Sequence, residues 1–172
     1  MGRKINSGLA LGVKGQTNIE NYELINRLLD QVVPGDINLA DPTYNYFHDY
    51  IERRKDKDSE GNFDFAAHGS PKNVEIYVNG KTHKVDWRTV AKIIKRDKKY
   101  YKGQPIKLLS CSTGKLDNGF AQNLANKLNA IVYAPRTILW VQSDGSYYIS
   151  ETRTGLIREE FRIFYPRKEK SR

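Results

Sequence analysis

From Gly61 onward the apolar residues gather in short runs separated by turn signals; before it they recur at helical spacing. Phe63, Phe65, Ala66 and Ala67 make a short strand that runs straight into His68-Gly69-Ser70-Pro71. Positions 74–78 alternate between apolar and polar, Asn79-Gly80 supplies a tight hairpin turn, and 81–85 returns. Trp87, Val90, Ala91 and Ile94 stand at i, i+3, i+4 and i+7, which predicts a helix over 86–101 stopped by Gly103. Pro105 opens the apolar strand 106–109, which delivers Ser110-Cys111-Ser112-Thr113-Gly114. A further helix is predicted with Phe120, Leu124 and Leu128 in line, Ala121 and Ala125 beside them, and Asp117 or Asn118 as its cap. A strand over 131–134, a hairpin pairing 138–141 with 147–150 about Ser143-Asp144-Gly145, and an edge strand over 161–165 complete the pattern.

Upstream, Tyr22, Ile25, Leu28, Leu29 and Val32 share one face of a helix predicted over 19–32 and ended by Pro34-Gly35. A second helical stretch covers 44–55. The charged run 52–61 reads as an exposed loop, and the first sixteen residues, with four glycines, as a linker. The expected organisation is a linker and N-terminal helical extension over 1–60 and an α/β domain over 61–172. Strand, crossover with helix, strand, helix, strand is the grammar of a small, mostly parallel sheet flanked by helices, here with hairpins added. In such sheets ligands bind beyond the carboxyl ends of the strands. Two predicted strands end there, one in His68 and one in Cys111.

The charge balance, 29 basic against 20 acidic residues and a net charge of +9, implies attraction to something acidic: a protein, a nucleic acid or an anionic membrane surface. Between Lys84 and Lys107 stand nine basic and two acidic residues, with Arg88, Lys92, Lys95, Arg96 and Lys99 opposite the apolar helix face. That stripe reads either as an ordinary solvated side or as a docking surface for an acidic partner or nucleic acid. The apolar runs fall far short of the ~20 residues a membrane helix needs, so no membrane span is expected. The first residues lack the apolar core of a secretory signal and miss the myristoylation pattern at Asn6. With Met1 as the only methionine, the chain reads as the terminal domain of something longer. The single cysteine excludes an intrachain disulfide framework, and three scattered histidines make a poor metal site, so neither metal nor cofactor is expected.

Cys111 and His68 carry the candidate chemistry. A thiol attacks as thiolate and, at a free pKa of about 8.5, is mostly protonated at neutral pH. An imidazole within reach takes that proton and later protonates the leaving group. Attack on a carbonyl also needs two donors for the developing oxyanion. The backbone N–H groups of Cys111 and Gly69 are the candidates, a glycine beside the base letting main chain approach a substrate closely. A lone cysteine after an apolar strand is on its own more often inert core; what lifts this one is its joint position with His68 on strands that a crossover makes neighbours. His83, in the return arm of a hairpin, and His48, among Tyr44, Tyr46, Phe47 and Tyr50, read as structural. Asp64, four residues before His68, shares its face only if the strand is regular.

All three histidines precede Cys111, which excludes an unpermuted papain arrangement, whereas His first and Cys on a later strand is the caspase order. Ala67-His68-Gly69-Ser70-Pro71, Leu108-Leu109-Ser110-Cys111-Ser112-Thr113-Gly114, Asn118-Gly119-Phe120-Ala121-Gln122 and Tyr133-Ala134-Pro135 together resemble the caspase-like (clan CD) cysteine peptidases. More narrowly, they resemble the cysteine-peptidase-like C-terminal domains of bacterial polymorphic toxins, Rhs-type secreted effectors among them. Ser110-Cys111-Ser112 replaces the caspase signature around the cysteine. The resemblance implies His68 as general base, Cys111 as nucleophile and the Gly69 and Cys111 amides as oxyanion hole. Ser110, Ser112, Asn118, Arg136 and Trp140 are the expected substrate contacts. It further implies an antibacterial effector domain, translocated from its producer, that cleaves a protein in the recipient's cytoplasm. The expected substrate presents an acidic surface, and an acidic immunity protein is the expected inhibitor. A permuted papain-like fold, a deamidase or acyltransferase using the same dyad, a nucleic-acid-targeting toxin with an inert Cys111, and a non-catalytic interaction module are the alternatives.

Overall fold

Two runs in which every side chain is buried make the centre of the main sheet. They are β2 (Phe63–Ala66) and β6 (Ile106–Leu109), paired in parallel with Phe65 opposite Leu108. The structure, a computed structural model, describes residues 36–56 and 61–168 together with Glu23. The expected linker and, Glu23 apart, the expected helix over 19–32 lie outside the described residues. β7 (Val132–Ala134) joins β6 in parallel on one side, and β1 (Ile37–Asn38) joins β2 in parallel on the other. β10 (Arg162–Phe164) closes the far edge antiparallel to β7, for the order β1-β2-β6-β7-β10. The molecule is thus α/β, with a mixed, mostly parallel sheet and helices.

Side chains alternate along a strand, so Phe63, Phe65, Ile106 and Leu108 point to one face of this sheet. Asp64, Ala66, Lys107 and Leu109 point to the other. Between β2 and β6 the chain forms a small antiparallel sheet, β3 (His68–Gly69), β4 (Val74–Val78) and β5 (Lys81–Val85). It is followed by a helix over Trp87–Arg96; a third helix, Phe120–Leu128, links β6 to β7. With α1 (Phe47–Glu52) earlier in the chain, these two are α2 and α3. Val90, Ile93 and Ile94 of α2 and Phe120 and Leu124 of α3 share one core with the first face of the sheet. Each such side chain contributes roughly 1.5–3 kcal/mol on burial. The second face is covered by α1 and by the hairpin of β8 (Ile138–Val141) and β9 (Tyr147–Ser150), with Ile51, Leu139 and Ile149 packed on Ala66 and Leu109. No helix among the described residues is long and apolar enough to cross a membrane.

Several expected boundaries moved for identifiable reasons. α2 stops at Arg96 rather than 101 because Asp97 turns extended and its Oδ1 accepts from the Lys99 N–H at 2.8 Å, a side-chain turn that competes with further helix. α3 is capped by neither Asp117 nor Asn118. The carbonyls of Pro71 and Thr113 accept its first N–H groups, from Phe120 and Ala121, while Asp117 pairs with Arg162 at 2.8 Å. α1 is shorter than the 44–55 stretch, starting only after Tyr46. β1 and α1 lie on the extension side of the expected boundary at residue 60, yet they form the edge and part of the cover of the same sheet.

Nor is the charged run after Glu52 simply an exposed loop. Arg54 is buried, its Nε 3.2 Å from Asp64 and an Nη 3.4 Å from Asp36. Lys107, also buried, lies 2.8 Å from Asp56 and 3.7 Å from Asp64, and the Tyr147 hydroxyl donates to Asp56. Burial without partners would be prohibitive for such groups; here the charges answer one another across β2, β6, β9 and the segment after α1.

Candidate active site

Ser110 and Cys111 follow directly on β6, and His68 opens β3 one residue beyond β2, so thiol and imidazole stand at the carboxyl ends of adjacent parallel strands. Gly69 seats one end against the other. A Cβ there would fall 2.5 Å from the Cys111 carbonyl oxygen and 3.1 Å from its nitrogen, so only glycine permits this approach. The Ser70 N–H donates to Asn73 at 2.9 Å; by the alternation of an antiparallel ladder, the next pair, Gly69 and Val74, is non-hydrogen-bonded, and the Gly69 N–H faces away from β4. After the thiol, Ser112 adopts φ +59°, the left-handed region that side chains other than glycine rarely occupy. Its N–H donates to the Thr137 carbonyl at 2.8 Å, and the Thr113 hydroxyl to that of Ser110 at 2.9 Å, which fixes the turn.

Burial disfavours the charged form of both groups. The Cys111 sulfur accepts from the Leu139 N–H at 3.4 Å and meets the Leu139 carbonyl at 3.9 Å. Burial pushes the thiol above its ordinary pKa, outweighing the lowering by the Leu139 N–H and by its own. The His68 ring sits against Tyr44, edge-on with centroids 5.5 Å apart, and against Phe47 at 5.1 Å. Burial holds His68 below the ordinary histidine range, more than Glu75 and Asp41 raise it. Its Nε2 is buried with no hydrogen-bond partner. Asp64 does not orient this ring: its carboxylate is engaged by Arg54 and Lys107 on the main sheet, and His68 has already passed into the smaller one.

His68 and Cys111 line one pocket of about 300 Å³. One wall comes from α1 and the turn before it, through Asn45, Tyr46, Phe47 and Tyr50; the other is β8, from Ile138 to Val141. Of the expected substrate contacts, Trp140 is in this wall, its indole N–H donating to the Ser150 carbonyl at 3.1 Å. Ser110 is fully buried and its hydroxyl has no partner; Ser112 lies in the strained turn. Asn118 belongs to a different pocket, with Lys72 and Trp87, and accepts from Arg167 at 2.6 Å. Arg136 is exposed and does not line the pocket. The α1 wall was missed as a site element. Its signal in the sequence is the density of aromatic residues at 44, 46, 47 and 50, and its signal in the structure is exposure, 74% for Tyr44 and 70% for Tyr46.

The two walls are tied together away from the thiol. Arg53 donates from a guanidinium nitrogen to the Ser143 carbonyl at 2.8 Å, and Gly145, at φ +89°, lies so close to Arg53 and Arg54 that a Cβ would overlap their main chain. Among the described residues no group of three or more His, Cys, Asp or Glu is placed to hold a metal ion.

Residues 35–149 match a known family, Domain of unknown function (DUF8616), and this span takes in β1, α1 and both pocket walls. No curated protein and no solved structure matches the chain. The match covers more than half of the 172 residues, and the chain belongs to that family.

Proposed function

For this family member we propose a cysteine hydrolase that cleaves a peptide bond through His68 and Cys111, on a caspase-like or permuted papain-like arrangement. The observation that carries the reading is the shared pocket: the two side chains that the strand pattern singled out line the same cavity, with Gly69 pressed on the Cys111 main chain. Burial disfavours the thiolate and the imidazolium alike, which favours general-base chemistry over a preformed ion pair. As the sulfur bonds to the carbonyl carbon, its proton passes to the His68 imidazole, which a side-chain rotation must bring to the sulfur because no hydrogen bond joins the two at rest, and the carbonyl electron pair moves to oxygen. The Cys111 and Gly69 N–H groups receive that oxyanion. Collapse breaks the C–N bond, the imidazolium protonates the departing amine, and a thioester remains on Cys111. Water then attacks with His68 as base, which releases the acid and restores the thiol.

The setting rests on the resemblance of the His-Gly and Ser-Cys segments to polymorphic-toxin domains. It is an effector acting on a protein in a recipient bacterium, restrained in the producer by an immunity protein. The net charge of +9 favours acidic partners for both encounters.

The test compares new protein N-termini in cells expressing the chain and its Cys111→Ala and His68→Ala forms. New termini should appear with the native chain alone, and each substitution should remove nearly all of them, since members of one catalytic unit cost about as much singly as together. Full cleavage by Cys111→Ala would falsify the proposal. A small mass change on a target, without a new terminus but lost with Cys111, would assign deamidation or acyl transfer instead.

A further inference from the structure

Resting on the reading of Cys111 as nucleophile, we infer that the pocket selects a large uncharged side chain, aromatic or aliphatic, on the acyl side of the bond it cleaves. Apart from the dyad itself, the lining among the described residues holds one amide, Asn45, and otherwise aromatic and aliphatic side chains, with no carboxylate, lysine or arginine among them. On one side Tyr46 and Tyr50 stack with centroids 5.5 Å apart and planes 13° off parallel, and Phe47 lies deeper, against His68. On the other, Ile138 and Trp140 present apolar surface from β8. Cys111 lines the same pocket as both walls, so a residue whose carbonyl reaches the sulfur has these side chains beside it.

A charged side chain placed there would lose water and meet no charged group in the described lining, the carboxylates of Glu75 and Asp41 acting on His68 from outside it. Arg53, a cation beside this wall, lies over the Tyr50 ring at 5.2 Å and donates to Ser143, and it is not part of the lining. An apolar side chain gains by burial alone. Tyr46 and Ile138 are exposed at the mouth, 70% and 37%, and this apolar surface is what a substrate side chain would cover. The overall positive charge therefore governs which protein arrives, and the slot governs which residue is cut.

The test uses the full chain and acetylated chloromethyl ketones of phenylalanine, aspartate and lysine, with Cys111 alkylation followed by intact mass. Phenylalanine should label at least about tenfold faster than either charged probe, the scale on which an apolar pocket discriminates. Tyr46→Lys, a substitution at an exposed position, should slow the phenylalanine probe and speed the aspartate one, narrowing the ratio to about threefold or less. A flat or reversed ranking, no labelling of Cys111 by any probe, or a ranking that Tyr46→Lys leaves unchanged overturns the inference. The peptidase reading is judged separately, by Cys111-dependent N-termini; such termini following aspartate or lysine would leave that reading standing and overturn this one.

Discussion

At His68 and Cys111, burial sets the protonation state of each group before any partner acts. The imidazole is held below its ordinary range and the thiol above its own. On the proposed mechanism the working form is neutral base and neutral thiol, and these directions give it a broad window. The acid limb of kcat/KM should have its midpoint below 6.5, because His68 must lose its proton to serve as base. Alkylation of Cys111 by iodoacetamide should rise with a midpoint above that of a free thiol, because that reaction needs the thiolate. An alkylation midpoint well under the ordinary thiol range would reveal a preformed thiolate–imidazolium pair and end this account. The strained Ser112 belongs to the same scale: an unfavourable φ directly after the sulfur is tolerated where the surrounding turn over-determines it.

Among the elements, the segment after α1 is held by charge where the helices are held by apolar packing. Asp64 is pushed up to about 6 by burial, against the pull of Lys107 and Arg54 and with Asp36 adding to the rise. A carboxyl raised from 3.8 favours the fold fully below 3.8 and loses that contribution as pH climbs through about 6. Arg54→Met removes a buried cation from between Asp36 and Asp64, so it should cost about 3 kcal/mol in urea unfolding at pH 8. It should cost clearly less at pH 5, where Asp64 is free to stay protonated; an equal loss at both values would show that the charge of Asp64 is not what Arg54 answers. This network also marks where pattern reading stops. β2, β6, α2 and the β8–β9 hairpin were legible because each carries its own period or turn signal. β1 was not, since two residues have no period and Ile37 is a strand only by pairing with Phe65. The start of α3 was misplaced for a like reason, its cap being the carbonyls of Pro71 and Thr113 rather than a neighbouring side chain.

Across the whole molecule, the candidate pocket was legible as far as strand ends carry it: His68 and Cys111, with Gly69 against the Cys111 main chain and, beyond them, Trp140. The α1 wall was not, because Tyr44 and Phe47 meet His68 only through tertiary packing. Asn118 fell away because α3 begins beside another pocket. The basic side of α2 stands apart as well: none of its residues lines the slot, and α2 covers the opposite face of the sheet. One last feature, the seating of Gly145 on Arg53 and Arg54, makes the slot a calliper whose jaws, α1 and β8, are set at a point remote from the thiol. Gly145→Ala, which adds both a clash and an unfavourable φ, should cost about 1–3 kcal/mol in stability and raise KM for a peptide several-fold more than it lowers kcat. A fall in kcat alone would show the jaws to be independent of this setting. On the peptidase reading, a gap gauged in advance sizes a substrate on arrival rather than gripping it afterwards, so selectivity should vary little with solvent viscosity and survive in small probes that lack the rest of the target protein.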